Sequence, residues 1–114
     1  MAAREHRLTG DAVFREIIRR TRPFHTSYFI VRGLVKSDGS LRYAFIISAK
    51  VSKKATVRNK LRRRLREIIR PLESNMRPHT DIMMIAKTPA LTLDFVGLRT
   101  EIIASLKKAD LLHD

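Results

Sequence analysis

One stretch constrains the fold of this chain more than any other. Residues 55–70 read ATVRNKLRRRLREIIR, in which seven of sixteen residues are Arg or Lys while apolar residues recur at helical spacing. On a helical wheel of about 100° per residue, Val57, Leu61, Leu65, Ile68, Ile69 and Leu72 share an arc of about 120°. An apolar stripe of that width is buried against a sheet or another helix. Asn59, Arg62, Arg63, Arg66 and Arg70 share a second arc of about 100°, centred well away from the first. Lys60, Arg64 and Glu67 take a third side. A fold for this chain must turn the first arc inward and leave the second outside.

The outward arc opposes helix formation. Arg62–Arg66 and Arg66–Arg70 are like-charge pairs at i, i+4, each costing about 0.2–0.5 kcal/mol. Within the stretch only Glu67 offers relief, four residues after Arg63 and three after Arg64. A face shaped for solubility alone mixes its signs. A one-signed face is explained by an external anion array spaced like phosphates. Arg suits that task because its planar fork meets two phosphate oxygens at once. Asn59 adds a neutral donor and acceptor that can reach a sugar hydroxyl or a base edge. The bland alternative is a solvated helix that happens to be basic, and the rest of the chain weighs against it.

Lys and Arg total 24 of the 114 residues and Asp and Glu only 11, a formal net charge of +13. Apolar residues make up 44%, too many for a disordered basic tail. The length fits one domain over residues 1–114 with a modest core. Such a domain attracts polyanions, nucleic acid first and an acidic membrane surface second. There is no cysteine, which removes disulfides and thiolate metal sites and fits a reducing compartment. The N-terminal MAAREHRLTGDAVF lacks the apolar run of a signal peptide. No apolar run approaches the roughly 18 residues of a membrane helix. A soluble cytoplasmic protein is expected.

The remaining segments alternate in type. GDAVFREIIRR places Val13, Phe14, Ile17 and Ile18 at helical spacing and stops before Pro23. TSYFIVRGLV is rich in aromatic and β-branched residues and reads as a strand. SDGS follows, with the Asp-Gly pair of a tight turn. LRYAFIISA alternates, with Leu41, Tyr43, Phe45 and Ile47 on one face. The two strands are predicted to pair antiparallel, and a bend can supply a third strand. DIMMIAK suits a central strand. After Pro89, LTLDFVGLRTEIIASLKK returns to helical spacing with Phe95, Leu98, Ile102 and Leu106, despite Gly97. This order predicts an α+β fold, an α/β sandwich with about three helices against a small mixed sheet.

At VRNKLRRRLREIIR the chain resembles the bacterial ribonuclease P protein subunit, whose signature runs R-N-[RK]-[IL]-[KR]-R-x-[IL]-R. The resemblance extends in order through RLTGDAVFREIIRR, TSYFIVRGLV, LRYAFIISAK, AKVSKKATVRN and DIMMIAKTPA. It implies a sandwich similar to a domain of ribosomal protein S5, with a left-handed βαβ crossover, although such crossovers are ordinarily right-handed. It implies an RNA-binding subunit of a ribonucleoprotein that removes the 5′ leader from precursor tRNA. The catalyst is then the RNA subunit with bound Mg2+, and the protein binds no cofactor and supplies no catalytic residue. Its implied partners are ribonuclease P RNA and precursor tRNA, as a monomer in a 1:1 complex and with no membrane.

Carried across position by position, the resemblance makes Arg58, Asn59, Lys60, Arg62, Arg63 and Arg66 RNA-binding, and Arg70 joins them on the wheel alone. Lys50, Lys53 and Lys54 are candidates for phosphate contact, with Arg7 and Arg22 weaker ones. Phe14 matches an aromatic position lining a cleft for the single-stranded leader, where stacking tolerates any sequence. On residue type alone, Phe14 is instead a core position. Three positions depart from the family pattern. Ile18 stands in place of a second Phe, Thr21 in place of Gly, and Ala49 in place of a lysine.

His6, His25, His79 and His113 show no metal-ligand spacing. No paired carboxylates, nucleophile elbow or phosphate-cradling glycine loop appears. Two rival classes share the basic helix. A general RNA-binding or ribosomal protein lacks the ordered match elsewhere, and a DNA-binding module needs a helix before the basic one.

Overall fold

The computed structural model describes residues 6–113, so the part of the N-terminal reading that rests on residues 1–5 lies outside it. Helix α1 spans Asp11–Arg20, with Asp11 in its first turn and Arg19 and Arg20 in its last, each sign complementing the helix dipole. It ends at Thr21, whose backbone is extended, two residues before Pro23. No glycine is needed there. The Thr21 hydroxyl donates to the Ile17 carbonyl at 2.6 Å, and the Arg32 guanidinium donates to the carbonyls of Thr21 at 2.8 Å and Ile18 at 3.3 Å. The last carbonyls of the helix are thereby satisfied from outside.

Strands β1 (Phe24–His25), β2 (Phe29–Val35), β3 (Arg42–Ile46) and β4 (Thr80–Ala86) form one sheet in the order β1-β2-β4-β3. The predicted antiparallel pairing of β2 with β3 does not occur. β4 lies between them, antiparallel to β2 from Phe29↔Ala86 to Val35↔Thr80 and parallel to β3 from Arg42↔Asp81 to Ile46↔Ile85. The turn chemistry itself is as expected, for Gly39 has a φ of +95°. That turn bridges the end of β4 instead of closing a hairpin. Lys36 N–H donates to the His79 carbonyl at 2.9 Å, and the His79 ring is hydrogen-bonded to the Gly39 carbonyl. Turn residues fix only local angles. The central place goes to the one strand that is apolar on both faces, and β4 is buried along nearly its whole length. β1 is the third strand from a bend, made where the Thr26 hydroxyl accepts from the N–H groups of Tyr28 and Phe29.

Helix α2 spans Ala55–Ile69 and continues as a 3-10 turn over Arg70–Asn75; helix α3 spans Phe95–Lys108 after a 3-10 turn over Thr88–Thr92. α2 and α3 cover one face of the sheet, where Leu61, Leu65, Ile68, Leu98, Ile102 and Leu106 pack with Phe29, Val31, Tyr43, Phe45, Ile82 and Met84. α1 covers the other face, where Leu8, Ile17 and Met83 form a smaller cluster. The expected α/β sandwich of three helices and a mixed sheet is therefore the observed architecture. The alternation predicted for β3 also holds, with Leu41, Tyr43, Phe45 and Ile47 all buried. Asp94 caps α3 by accepting from Gly97 N–H at 2.8 Å. Phe95, predicted on the buried stripe of that helix, is 42% exposed, because the stripe reaches the core only from Leu98 onward. Gly33 in β2 gives room to the C-terminal segment, since a Cβ there would lie 2.7 Å from Cδ2 of Leu111.

Candidate nucleic-acid interface

The α2 wheel is reproduced on the apolar side. Leu61, Leu65, Ile68 and Ile69 are buried, and Val57 and Leu72 are half-buried. This anchors a rigid rod along the sheet and fixes which way its other residues project. Asn59, Arg63 and Arg70 are exposed, and Arg62 and Arg66 are half-buried. Asn59, Arg62, Arg63 and Arg66 line one recess of about 350 Å3. An Arg62 Nη donates to Asn59 Oδ1 at 2.9 Å, which orders the floor of that recess.

Among the described residues one carboxylate, that of Glu67, lines the recess beside three guanidiniums, so the recess stays net positive. Burial, then the neighbouring charges of Arg7 and Arg62, lowers the Arg66 pKa from the ordinary arginine value. A guanidinium stays charged even so. Among the described residues, no carboxylate forms an ion pair with Arg58, Lys60, Arg62, Arg63, Arg64, Arg66 or Arg70; the pairs formed are those of Glu16, Glu73, Asp81 and Asp110 with other partners. Glu67, grouped on the wheel with Lys60 and Arg64, lies one helical turn after Arg63. It lines the same recess as Arg63 and Arg66, yet no ion pair joins it to Arg63 or Arg64.

The nearest acid of the following turn, Glu73, is engaged elsewhere. Its Oε2 accepts from the buried Tyr43 hydroxyl at 2.8 Å and lies 3.9 Å from His6 Nε2. The His6 ring stacks on Tyr43 with centroids 6.4 Å apart. Burial first, then the Glu73 hydrogen bond, raises the Tyr43 pKa, while the charges of Arg66 and Arg70 oppose the rise. The alternation of β3 predicts Tyr43 inside, and its buried hydroxyl, which usually needs a partner, finds one in Glu73.

Not all the signature residues converge. Arg58 is half-buried and donates to the Ser52 carbonyl at 2.8 Å, bracing the connection before α2. Its position three residues before Leu61 and seven before Leu65 already turns it toward the sheet side of the wheel. Lys60 and Arg64 line a separate recess of about 220 Å3 with Val57, Leu61, Ala90, Leu91 and Leu93. Lys50, Lys53 and Lys54 are exposed in the connection, and Lys54 is the residue before the first turn of α2. That first turn holds no acid and receives no side-chain cap, so the positive end of the helix adds to the lysine charges. Arg7 is exposed beside Tyr43, and Arg22 is exposed after α1.

Phe14 is half-buried on α1 and packs on the smaller cluster together with Val13, Leu34, Ala44 and Ile46. Ile18, one turn later, is 48% exposed. α1 and α2 cover opposite faces of the sheet, so Phe14 and the arginine recess belong to different sides of the layer. Among the described residues no group of three or more His, Cys, Asp or Glu is placed to hold a metal ion. Among them, no helix is long and apolar enough to cross a membrane. The element before α2 is β3, which leaves no helix-turn-helix for reading a major groove.

A rigidly mounted, net-positive guanidinium array can donate charge-assisted, bidentate hydrogen bonds to phosphates. A family model described as Ribonuclease P matches residues 2–110. The ribonuclease P protein component of Listeria monocytogenes serotype 4a is 33% identical over 107 residues, covering 91% of this chain and 87% of that protein. That of a Synechococcus strain is 49% identical over 67 residues, covering 59% of this chain and only 50% of that protein, so the match spans half the length of this relative. Among solved structures, the RNase P protein from Thermotoga maritima superposes with a TM-score of 0.80 at 27% identity, over 90% of this chain and 96% of that one.

Proposed function

Because the chain belongs to the ribonuclease P protein family, we propose that it binds the RNA subunit of ribonuclease P and assists removal of the 5′ leader from precursor tRNA. The observation that carries this proposal is the recess of Asn59, Arg62, Arg63 and Arg66 on a sheet-anchored helix, where no described acid pairs with the arginines. Its net positive charge, three guanidiniums against Glu67, is tolerable when RNA phosphates complete it. Arg70 extends the contact along the helix, and Lys60 reaches the RNA from the flank it shares with Arg64. Lys50, Lys53 and Lys54 add phosphate contacts at its positive end, and Arg58 shapes that end through Ser52.

Phe14 and Ile18 offer an apolar surface to the unpaired leader on the α1 face. With Ile18 aliphatic, that surface has one aromatic platform on α1 instead of two. Hydrolysis is assigned to the RNA subunit, whose bound Mg2+ would supply an activated water. The protein then contributes no catalytic group, acts as a monomer in a 1:1 complex with the RNA, and works in the cytoplasm.

The test is reconstitution. The protein is mixed with a bacterial ribonuclease P RNA and a precursor tRNA at low magnesium, and 5′ cleavage is followed. Stimulation over the RNA alone is expected. Tight RNA binding with no stimulation would reduce the protein to a general RNA binder, and the proposal would fail.

A further inference from the structure

The opposite flank of α2 has its own character. Lys60 and Arg64 stand over a recess floored by Val57, Leu61, Ala90, Leu91 and Leu93. The chain leaves this recess as an exposed apolar step, with Leu91 38%, Phe95 42% and Val96 71% exposed. Phe95 follows Leu93 by two residues, a reach of at most about 7 Å. An exposed aromatic ring and two exposed aliphatic side chains thus lie on the segment that runs through and out of the recess of Lys60 and Arg64. The acid nearest in sequence, Asp94, is turned back onto the Gly97 N–H at 2.8 Å as the cap of α3. That bond leaves Asp94 charged, but Lys60 and Arg64 outnumber it, so the patch presents apolar surface with net positive charge, and the partner that complements both carries negative charge next to flat apolar faces.

We propose that this patch holds a short unpaired stretch of RNA, with one base stacked on the Phe95 ring and the adjoining phosphates on Lys60 and Arg64. The inference rests on the RNA-binding reading given above and adds a second contact on the other flank of the same helix. α2 then lies between two RNA segments, phosphates alone in the arginine recess and phosphates with a base at Phe95. Stacking on an aromatic ring selects unpaired nucleotides without selecting a sequence. A basic partner is disfavoured by Lys60 and Arg64. An apolar partner leaves both cations with nothing to pair.

Phe95→Trp tests this directly, because the chain has no other tryptophan. The full-length variant is titrated at low salt with a decaadenylate, and indole fluorescence is read alongside polarisation of a labelled copy of the same RNA. Quenching of the indole in step with binding is expected. Phe95→Ala should weaken decaadenylate binding about fivefold or more, and Phe95→Trp should restore it. Lys60→Ala with Arg64→Ala should remove the quenching.

Binding by polarisation with an unchanged indole signal would overturn the proposal, as would no binding at all. If Phe95→Ala leaves RNA binding intact but abolishes self-association in sedimentation, the patch is a face for a second copy and the proposal fails. In either case Arg62→Ala with Arg66→Ala still reports on the arginine recess, and the cleavage assay reports separately on the proposed function.

Discussion

Arg42 of β3 and Asp81 of β4 are register partners in the parallel pair, and the guanidinium grips both carboxylate oxygens, Nε at 2.9 Å and an Nη at 2.8 Å. Lys36 completes the group with Nζ 3.0 Å from the same carboxylate. The Asp81 side chain is only 4% exposed, whereas Arg42 and Lys36 keep 34% and 27% of theirs. The Asp81 bond and charge raise the Arg42 pKa, against the opposing effect of burial. This cluster ties the start of β4 to β3 and to the residue that follows β2, at the register β4 adopts between them.

Asp81→Ala leaves two cations facing each other at a buried edge. Breaking a fully buried pair costs about 3–5 kcal/mol. Here the cations can relax into water, so a loss of about 1–3 kcal/mol is expected. Urea unfolding measures it, and a change below about 0.5 kcal/mol would show that apolar packing alone fixes the register.

Replacing Arg62 and Arg66 together with Ala should weaken RNA binding and flatten its salt dependence by about 0.7–0.9 in slope per lost phosphate contact. The fold should hold within about 0.5 kcal/mol, since repulsion is relieved as packing is lost. Binding isotherms at several salt concentrations, with unfolding curves of the same variant, decide it. An unchanged slope would remove these arginines from the interface.

Tyr43 provides a pH signature. Its pKa is raised in the folded state by burial and by Glu73. The folded protein therefore holds the phenolic proton longer than the unfolded chain, and stability falls as pH rises past about 10, the ordinary phenol value. Tyr43→Phe should cost about 1–2 kcal/mol near neutral pH, through loss of a hydrogen bond to a carboxylate. The gap between wild type and variant should narrow above pH 10. A constant gap across that range would mean that the hydroxyl does not prefer Glu73 in the folded state.

Phe14→Ala separates the leader surface from the core. If Phe14 stacks on the leader, precursor tRNA binding should weaken by about 1 kcal/mol or more while mature tRNA binding is unchanged. Ile18→Phe should shift precursor binding the other way. Equal effects on both RNAs, in step with lost stability, would assign Phe14 to the cluster of Leu8, Ile17 and Met83.

Periodicity was enough to read α2, because a helix's faces follow from its own spacing. The buried arc of Leu61, Leu65, Ile68 and Ile69 and the outward Asn59, Arg62, Arg63 and Arg66 are local consequences of residue order. The alternation of β3, the end of α1 before Pro23 and the Asp-Gly turn are local in the same sense. Partner choice is not local. Nothing near residues 36–41 shows that β4 will insert between β2 and β3, because that depends on which strand loses most by keeping a face in water. Likewise, Arg58 bracing Ser52, Glu73 turned to Tyr43, and Asp81 held by Arg42 and Lys36 arise only when distant segments meet. The sequence by itself determined where the positive charge lies along the chain and that it faces outward. Tertiary structure decided which acids remain near it, since each carboxylate goes to the donor that packing brings within hydrogen-bond reach.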